Sequence, residues 1–233
     1  MLTAAALIAL QSKPSFTDVE LLPLSDLYYQ YLYPNIFEFV LASGEIIILK
    51  FNLEAFCHLL GLKKTVEQAR RLSREVKKEY KGMAGWNAIR EGRSSKAIIR
   101  AYGVSLDPMK DKMLFFYYLP ELLRVGSLAI KFVPSGSSRI PSEIIIYNLH
   151  VADNTYIQIG ISKCDHGRWY YPETFLIERV KVSRPNNKFA DPPSTVVSIT
   201  SRNIYPRYSS PIRPKVRRTA CRLPKRSHRL RKH

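Results

Sequence analysis

Acidic residues run out early in this chain: none follows Asp191, and the last 32 positions, 202–233, carry 12 Lys and Arg. That stretch therefore holds 12 of the 18 excess positive charges and leaves +6 for the rest. A field of this sign gathers polyanions, which narrows the partner to nucleic acid or an anionic membrane. Cysteine is scarce. Cys57, Cys164 and Cys221 are odd in number and far apart, which excludes a secreted disulfide framework and fits a reducing, cytoplasmic setting. No apolar run approaches the roughly 18 residues needed to span a bilayer. The short run at residues 2–10 lacks the basic start of a secretory signal. Also missing are a Walker A loop, a GxGxxG after a strand, HExxH and GxSxG, so the commoner nucleotide-binding, metalloprotease and hydrolase readings fall away. Cys57, His58, Cys164 and His166 could be assembled into a zinc site, but paired CxxC spacing is absent, and neither metal nor cofactor is expected.

What is present suffices for one core: 233 residues, 45% hydrophobic. Residues 17–32 show helical spacing, split by Pro23. Residues 36–41 and 45–51 flank Ser43-Gly44 and read as a hairpin. Asn52 then caps a short helix bearing Leu53, Phe56 and Leu60 on one face, and Gly61 offers a left-handed stop. A basic amphipathic helix is predicted over residues 66–81, a loop over 82–92, a helix over 95–102 and an aromatic-rich helix over 112–124 that Pro120 disturbs. Beyond residue 128 the texture becomes β-branched runs between turns, at 128–133, 143–149, 156–162, 169–180 and 195–200. The expected fold class is α+β: N-terminal helices and a β-hairpin, then helices packed on an antiparallel sheet of about four strands. Residues 1–201 form one domain, and 202–233 a basic tail, disordered when alone, with no apolar period.

Three segments could carry chemistry. In KFNLEAFCHLLGLKK (50–64), His58 projects roughly opposite the Leu53, Phe56 and Leu60 stripe. An imidazole there can take and return a proton, as cleavage of RNA through its own 2′-hydroxyl requires, although a structural histidine fits the same pattern. In RWYYPETFLIER (168–179), strand alternation puts Thr174, Leu176 and Glu178 on one face and Phe175, Ile177 and Arg179 on the other. Thr174 could bond a phosphate oxygen, Glu178 act as base or orienter, and Arg179 or Arg168 neutralise a phosphorane; an ordinary solvent-facing strand is the alternative. Ser137-Ser138-Arg139, in a turn before a strand, could also meet a phosphate.

The hairpin leading into FCHLLGLKK, followed by SSRIPSEIIIYN (137–148), YIQIGISK (156–163) and YYPETFLIER (170–179), resembles the phage-associated nucleases of the Barnase, EndoU, colicin and RelE-like (BECR) fold, over about residues 30–200. The resemblance implies a metal-independent ribonuclease-like fold used as a toxin or in phage–host conflict. An antitoxin or immunity partner would be in keeping with that use. By matching position it makes His58 the first catalytic candidate, with Arg139, Thr174 and Arg179 in support. The expected function is an endoribonuclease acting on RNA. A non-catalytic RNA-binding or ribosome-associated protein is the alternative. A peripheral membrane protein held by its tail is a weaker third reading, because the tail has few bulky apolar residues to insert.

Overall fold

A computed structural model describes residues 1–69, 72–126, 128–133, 140–165, 167–183 and 186–207; Arg139, His166 and the chain from 208 onward lie outside these. Alternation sets the first strand. In β1, Asn35–Leu41, the residues Phe37, Phe39 and Leu41 are buried between half-buried neighbours. A turn in which the Gly44 amide donates to the Leu41 carbonyl at 2.8 Å returns the chain as β2, Ile46–Lys50. Gly44 sits at φ +82°, where a glycine carries no Cβ penalty. The later runs become β3 (Leu128–Lys131), β4 (Ile144–His150), β5 (Thr155–Lys163), β6 (Tyr170–Arg179) and β7 (Thr195–Pro206).

These strands close on one another in the order β1-β2-β6-β5-β4-β3-β7, giving a seven-stranded mixed barrel. This corrects the expected antiparallel sheet of about four strands, although helices combined with strands still make the fold α+β. Two pairings close the ring. β7 is long enough to pair β3 through residues 195–198 and β1 through 199–206. On the other side β2 meets β6 in parallel at Leu49 and Tyr170. The hairpin is thereby built into the sheet.

The helices are short: α1 (Ala4–Ile8), α2 (Leu21–Leu27), α3 (Phe56–Leu59), α4 (Leu62–Glu67), α5 (Arg74–Lys78), α6 (Gly82–Arg90), α7 (Lys96–Ala101), α8 (Asp107–Phe115) and α9 (Leu119–Arg124). α2 runs on into a π-helical turn over Tyr28–Leu32. The single helix predicted over 66–81 is two separate elements, α4 and α5, and the loop predicted over 82–92 is mostly α6. Pro120 lies in the first turn of α9, where its missing N–H costs nothing.

Aromatic rings join the helices to the barrel. The buried Tyr28 ring meets Phe51, Phe56, Trp86 and Phe116 at centroid distances of 5.3–6.3 Å, and Phe116 meets Phe175 of β6 edge-on at 5.6 Å. One face of the strands merges with the helices in this core. The opposite face carries a smaller cluster of Ile130, Ile145 and Tyr147.

On that second face a Cβ added to Gly160 would stand 2.3 Å from Ser142 Oγ and 2.7 Å from Thr174 Cγ2. Both neighbours are held in packed structure, so Gly160→Ala should destabilise the domain by about 1–3 kcal/mol, read as a lower urea midpoint with unchanged slope. An unaltered midpoint would mean that the Ser142 segment yields freely.

Candidate active site

After Lys50 the chain leaves the sheet, and β6 runs on without a strand on its β2 side. α3 packs there instead. The opposite edge of β6 is irregular at the same place: Gly160 pairs with Thr174 and Ile161 with Pro172, leaving Glu173 as the extra, bulged residue. Bulges re-aim side chains and free main-chain groups. His58 uses this one, since its imidazole hydrogen-bonds the Glu173 main chain. Phe56, Cys57, Leu59 and Leu60 are buried around it while His58 itself is exposed.

Gly61, at φ +76°, ends α3 and starts α4, which brings Lys63 near His58 and Lys64 near Lys112. Lys112 reaches in from α8. A Cβ built on Gly61 would lie 3.6 Å from Lys112 Cδ and 3.8 Å from its Nζ, so the lysine lies over the bare glycine backbone. Among the described residues no carboxylate comes within ion-pair distance of Lys63, Lys64 or Lys112. The Glu173 carboxylate accepts from the Ser162 hydroxyl.

The electrostatic result is a pair of perturbed groups. Although His58 keeps an exposed surface, loss of water from the covered part of its ring comes first, then the charge on Lys112, in holding its pKa below the usual value, partly opposed by the Glu173 bond. Burial, with Lys64 adding repulsion, brings Lys112 down to about 8. Cys57, by contrast, is pushed up to about 12 by burial alone and stays an inert thiol near neutrality.

Of the four residues expected from sequence, His58 and Thr174 come to the same region, because His58 bonds the residue next to Thr174. The Thr174 side chain packs towards Gly160 and Ser142. Arg179 does not join them. It lies five residues beyond Thr174 along β6, about 17 Å at the usual strand rise, with Nη2 3.0 Å from Asp111 Oδ1. There it borders a cleft of about 310 Å³ with Tyr156, Glu178, Lys181, Asn186 and Lys188. Arg139 falls outside the described residues. Lys112 was not foreseen, since only the crossing of α8 over Gly61 brings it to His58.

The model of the phage-Barnase-EndoU-ColicinE5/D-RelE like nuclease 4 family matches residues 24–205. The chain belongs to this family. The match runs from α2 almost to the end of β7 and so takes in the whole barrel and the His58 region. Family membership makes the protein a nuclease, an enzyme acting on nucleic acid. No curated protein and no solved structure matches it. Among the described residues no helix is long and apolar enough to cross a membrane, and no three His, Cys, Asp or Glu side chains are grouped to hold a metal ion.

Proposed function

We propose that this nuclease is a metal-independent endoribonuclease that cuts RNA by attack of its own 2′-hydroxyl, with its centre at His58 and Lys112. The observation that carries the reading is the convergence of an imidazole from α3 and an ammonium from α8, flanked by Lys63 and Lys64, with no carboxylate among the described residues in ion-pair reach of the three lysines. The bond from His58 to the Glu173 main chain fixes one ring nitrogen as donor. The other then keeps its lone pair for the 2′-hydroxyl proton. A depressed pKa keeps the ring neutral near pH 7, as a base must be. The clustered lysines repel one another until a phosphate arrives, and their charge is aimed where the phosphorane becomes more negative. Lys112 can then protonate the departing 5′-oxygen, which leaves a 2′,3′-cyclic phosphate and a free 5′-hydroxyl. Thr174 is assigned to position a phosphate oxygen, and Arg179 to contact substrate away from the scissile bond. Within a phage-associated family, we assign the activity to conflict between phage and host.

The chemical test uses an RNA oligonucleotide and the same sequence carrying a single 2′-deoxy sugar at the cleaved step, both in excess EDTA. The all-RNA strand should be cut to a cyclic-phosphate end and the substituted strand should survive. Cleavage of both alike, or cleavage only after divalent metal is added, would sink the mechanism. A second reading, in which RNA is bound but not cut, draws on the same His58–Glu173 bond, because that bond also satisfies a strand edge and could be purely structural. It requires that the purified chain leave every RNA intact.

A further inference from the structure

Away from His58, aromatic and cationic side chains form one continuous run. The Arg90 guanidinium lies 5.8 Å from the Trp86 ring, Trp86 lies 6.2 Å from Tyr29, and Tyr29 stacks on Tyr33 at 5.7 Å with their planes 13° apart. Arg207 then sits 4.8 Å over Tyr33 and donates to Asn52 Oδ1 at 3.0 Å. Lys50 is the next cation, close enough to Arg207 to feel its repulsion, and it lies 4.5 Å over the Trp169 ring. Five stretches of chain meet here: the π-turn after α2, α6, the end of β2, the residue after β7 and the residue before β6.

The charges in this run are unequal. Arg90 is neutralised by Asp26. Lys50 and Arg207, among the described residues, have no carboxylate within ion-pair distance. Two neighbouring cations without a counter-charge favour an anion between them. Tyr29 is 50% exposed, and Tyr33, Lys50, Trp169 and Arg207 are half-buried, so the rings are backed by protein and open on one side.

We propose that this run is a docking surface for single-stranded RNA, with bases stacking on Tyr29 and Trp169 and a backbone phosphate held between Lys50 and Arg207. The proposal rests on the endoribonuclease reading for the choice of RNA, while the stacking geometry stands independently. Unpaired bases offer π-faces to aromatic platforms, and cations beside the rings hold the backbone; a duplex hides those faces. A protein partner would instead need acidic groups opposite Lys50 and Arg207, and nothing on the surface explains the stacked tyrosines in that case. Lys50 precedes His58 by eight residues, so the two are less than about 29 Å apart along the chain. At ~3.4 Å each, at most about eight nucleotides of stacked strand cover that span. The surface therefore favours single-stranded substrates long enough to reach both Lys50 and His58. After Arg207 the sequence continues with ten Lys and Arg and no acid.

The test measures binding of a labelled 12-nucleotide RNA and of its duplex to the full chain carrying His58→Ala, so that nothing is cut. Adding Tyr29→Ala should weaken the single strand about tenfold and leave the duplex unchanged, whereas Tyr29→Phe should restore binding. Adding Lys50→Gln should lower the slope of log affinity against log salt by about 0.7, one phosphate's worth for a single strand. Unchanged single-strand affinity in both variants, or equal weakening for single strand and duplex, overturns the proposal. With His58 intact, Tyr29→Ala should cut a dinucleotide at the wild-type rate, and a slowed dinucleotide reaction would put Tyr29 in the chemistry and refute a docking role. If the wild-type chain cuts no RNA yet Tyr29→Ala still weakens single-strand binding, the docking surface stands and the endoribonuclease reading falls.

Discussion

Lys112→Met should leave a protein that melts several degrees higher and cuts RNA at least about a hundredfold more slowly. The two effects have one origin. An ammonium whose pKa is brought down to about 8 is held in a place where its charge is disfavoured. Below that pH the folded state bears the cost of keeping it charged. A methionine of similar length keeps the contact over Gly61 without the charge. Because solvent still reaches this half-buried chain, the gain at pH 7 is about 1–2 kcal/mol, a few degrees for a domain of this size. The sign fixes a pH window. Folding lowers this pKa from its ordinary 10.5, so the penalty is complete below about 8 and is relieved as pH rises towards 10.5. The difference in melting temperature between variant and wild type should therefore be largest at or below pH 7 and shrink across that window. Raised tyrosine pKa values, such as that of Tyr170, act on both proteins alike and cancel. A residue kept at a cost in stability is what a site selected for function contains. If Lys112→Met melts lower and cuts normally, Lys112 is a packing residue and the proposed acid is misplaced.

That lysine also marks what sequence could not reveal. Every strand carried a local signal, because alternation and β-branching are properties of consecutive residues. Barrel closure had none. It depends on a parallel contact between Leu49 and Tyr170 and on pairing between β1 and β7, whose partners Ile36 and Tyr205 lie far apart in sequence. Gly82, Gly85 and Gly92 weaken helix propensity, which hides α6 behind a loop pattern in the sequence. Packing explains one of them: a Cβ on Gly85 would stand 2.7 Å from Cys57 Sγ and 2.9 Å from the Tyr80 carbonyl carbon, so glycine is what lets α6 approach α3. The candidate site divides the same way. His58 was legible from its phase on a short capped helix, and Gly61 from its position at the stop. The sequence offers Asn52 as a side-chain cap for that helix, yet its Oδ1 accepts from Arg207 instead. Thr174 and Arg179 were assigned to opposite faces of one strand, and the Thr174 side chain does turn towards Gly160. How far apart the site residues stand along β6 is set by the bulge at Glu173 and by Asp111 holding Arg179, neither of which has a sequence signature.

His58→Ala should lower kcat/KM for RNA by at least about a hundredfold while moving the melting temperature little. The rate effect follows from loss of the base that takes the 2′-hydroxyl proton, a contribution of about 10²–10⁴ in comparable chemistry. The small stability effect follows from exposure. His58 projects from α3 while its neighbours Cys57 and Leu59 carry the packing, and the bond it gives up at the Glu173 main chain can be replaced by water. The wild-type pH profile supplies the stricter check. Activity needs His58 neutral, so kcat/KM should rise with pH through a pKa below 6.5; it also needs Lys112 charged, so the rate should fall again as pH passes about 8. Residual cleavage by His58→Ala should lose the acidic limb and keep the basic one, and Lys112→Arg should keep the acidic limb and carry activity to higher pH. Those paired losses separate chemistry from support, because a purely structural histidine would lower the rate at every pH and leave both limbs in place. If His58→Ala loses ten degrees of stability and its remaining activity shows the wild-type bell, the His58–Glu173 bond is a clasp for the β6 edge and the base lies elsewhere.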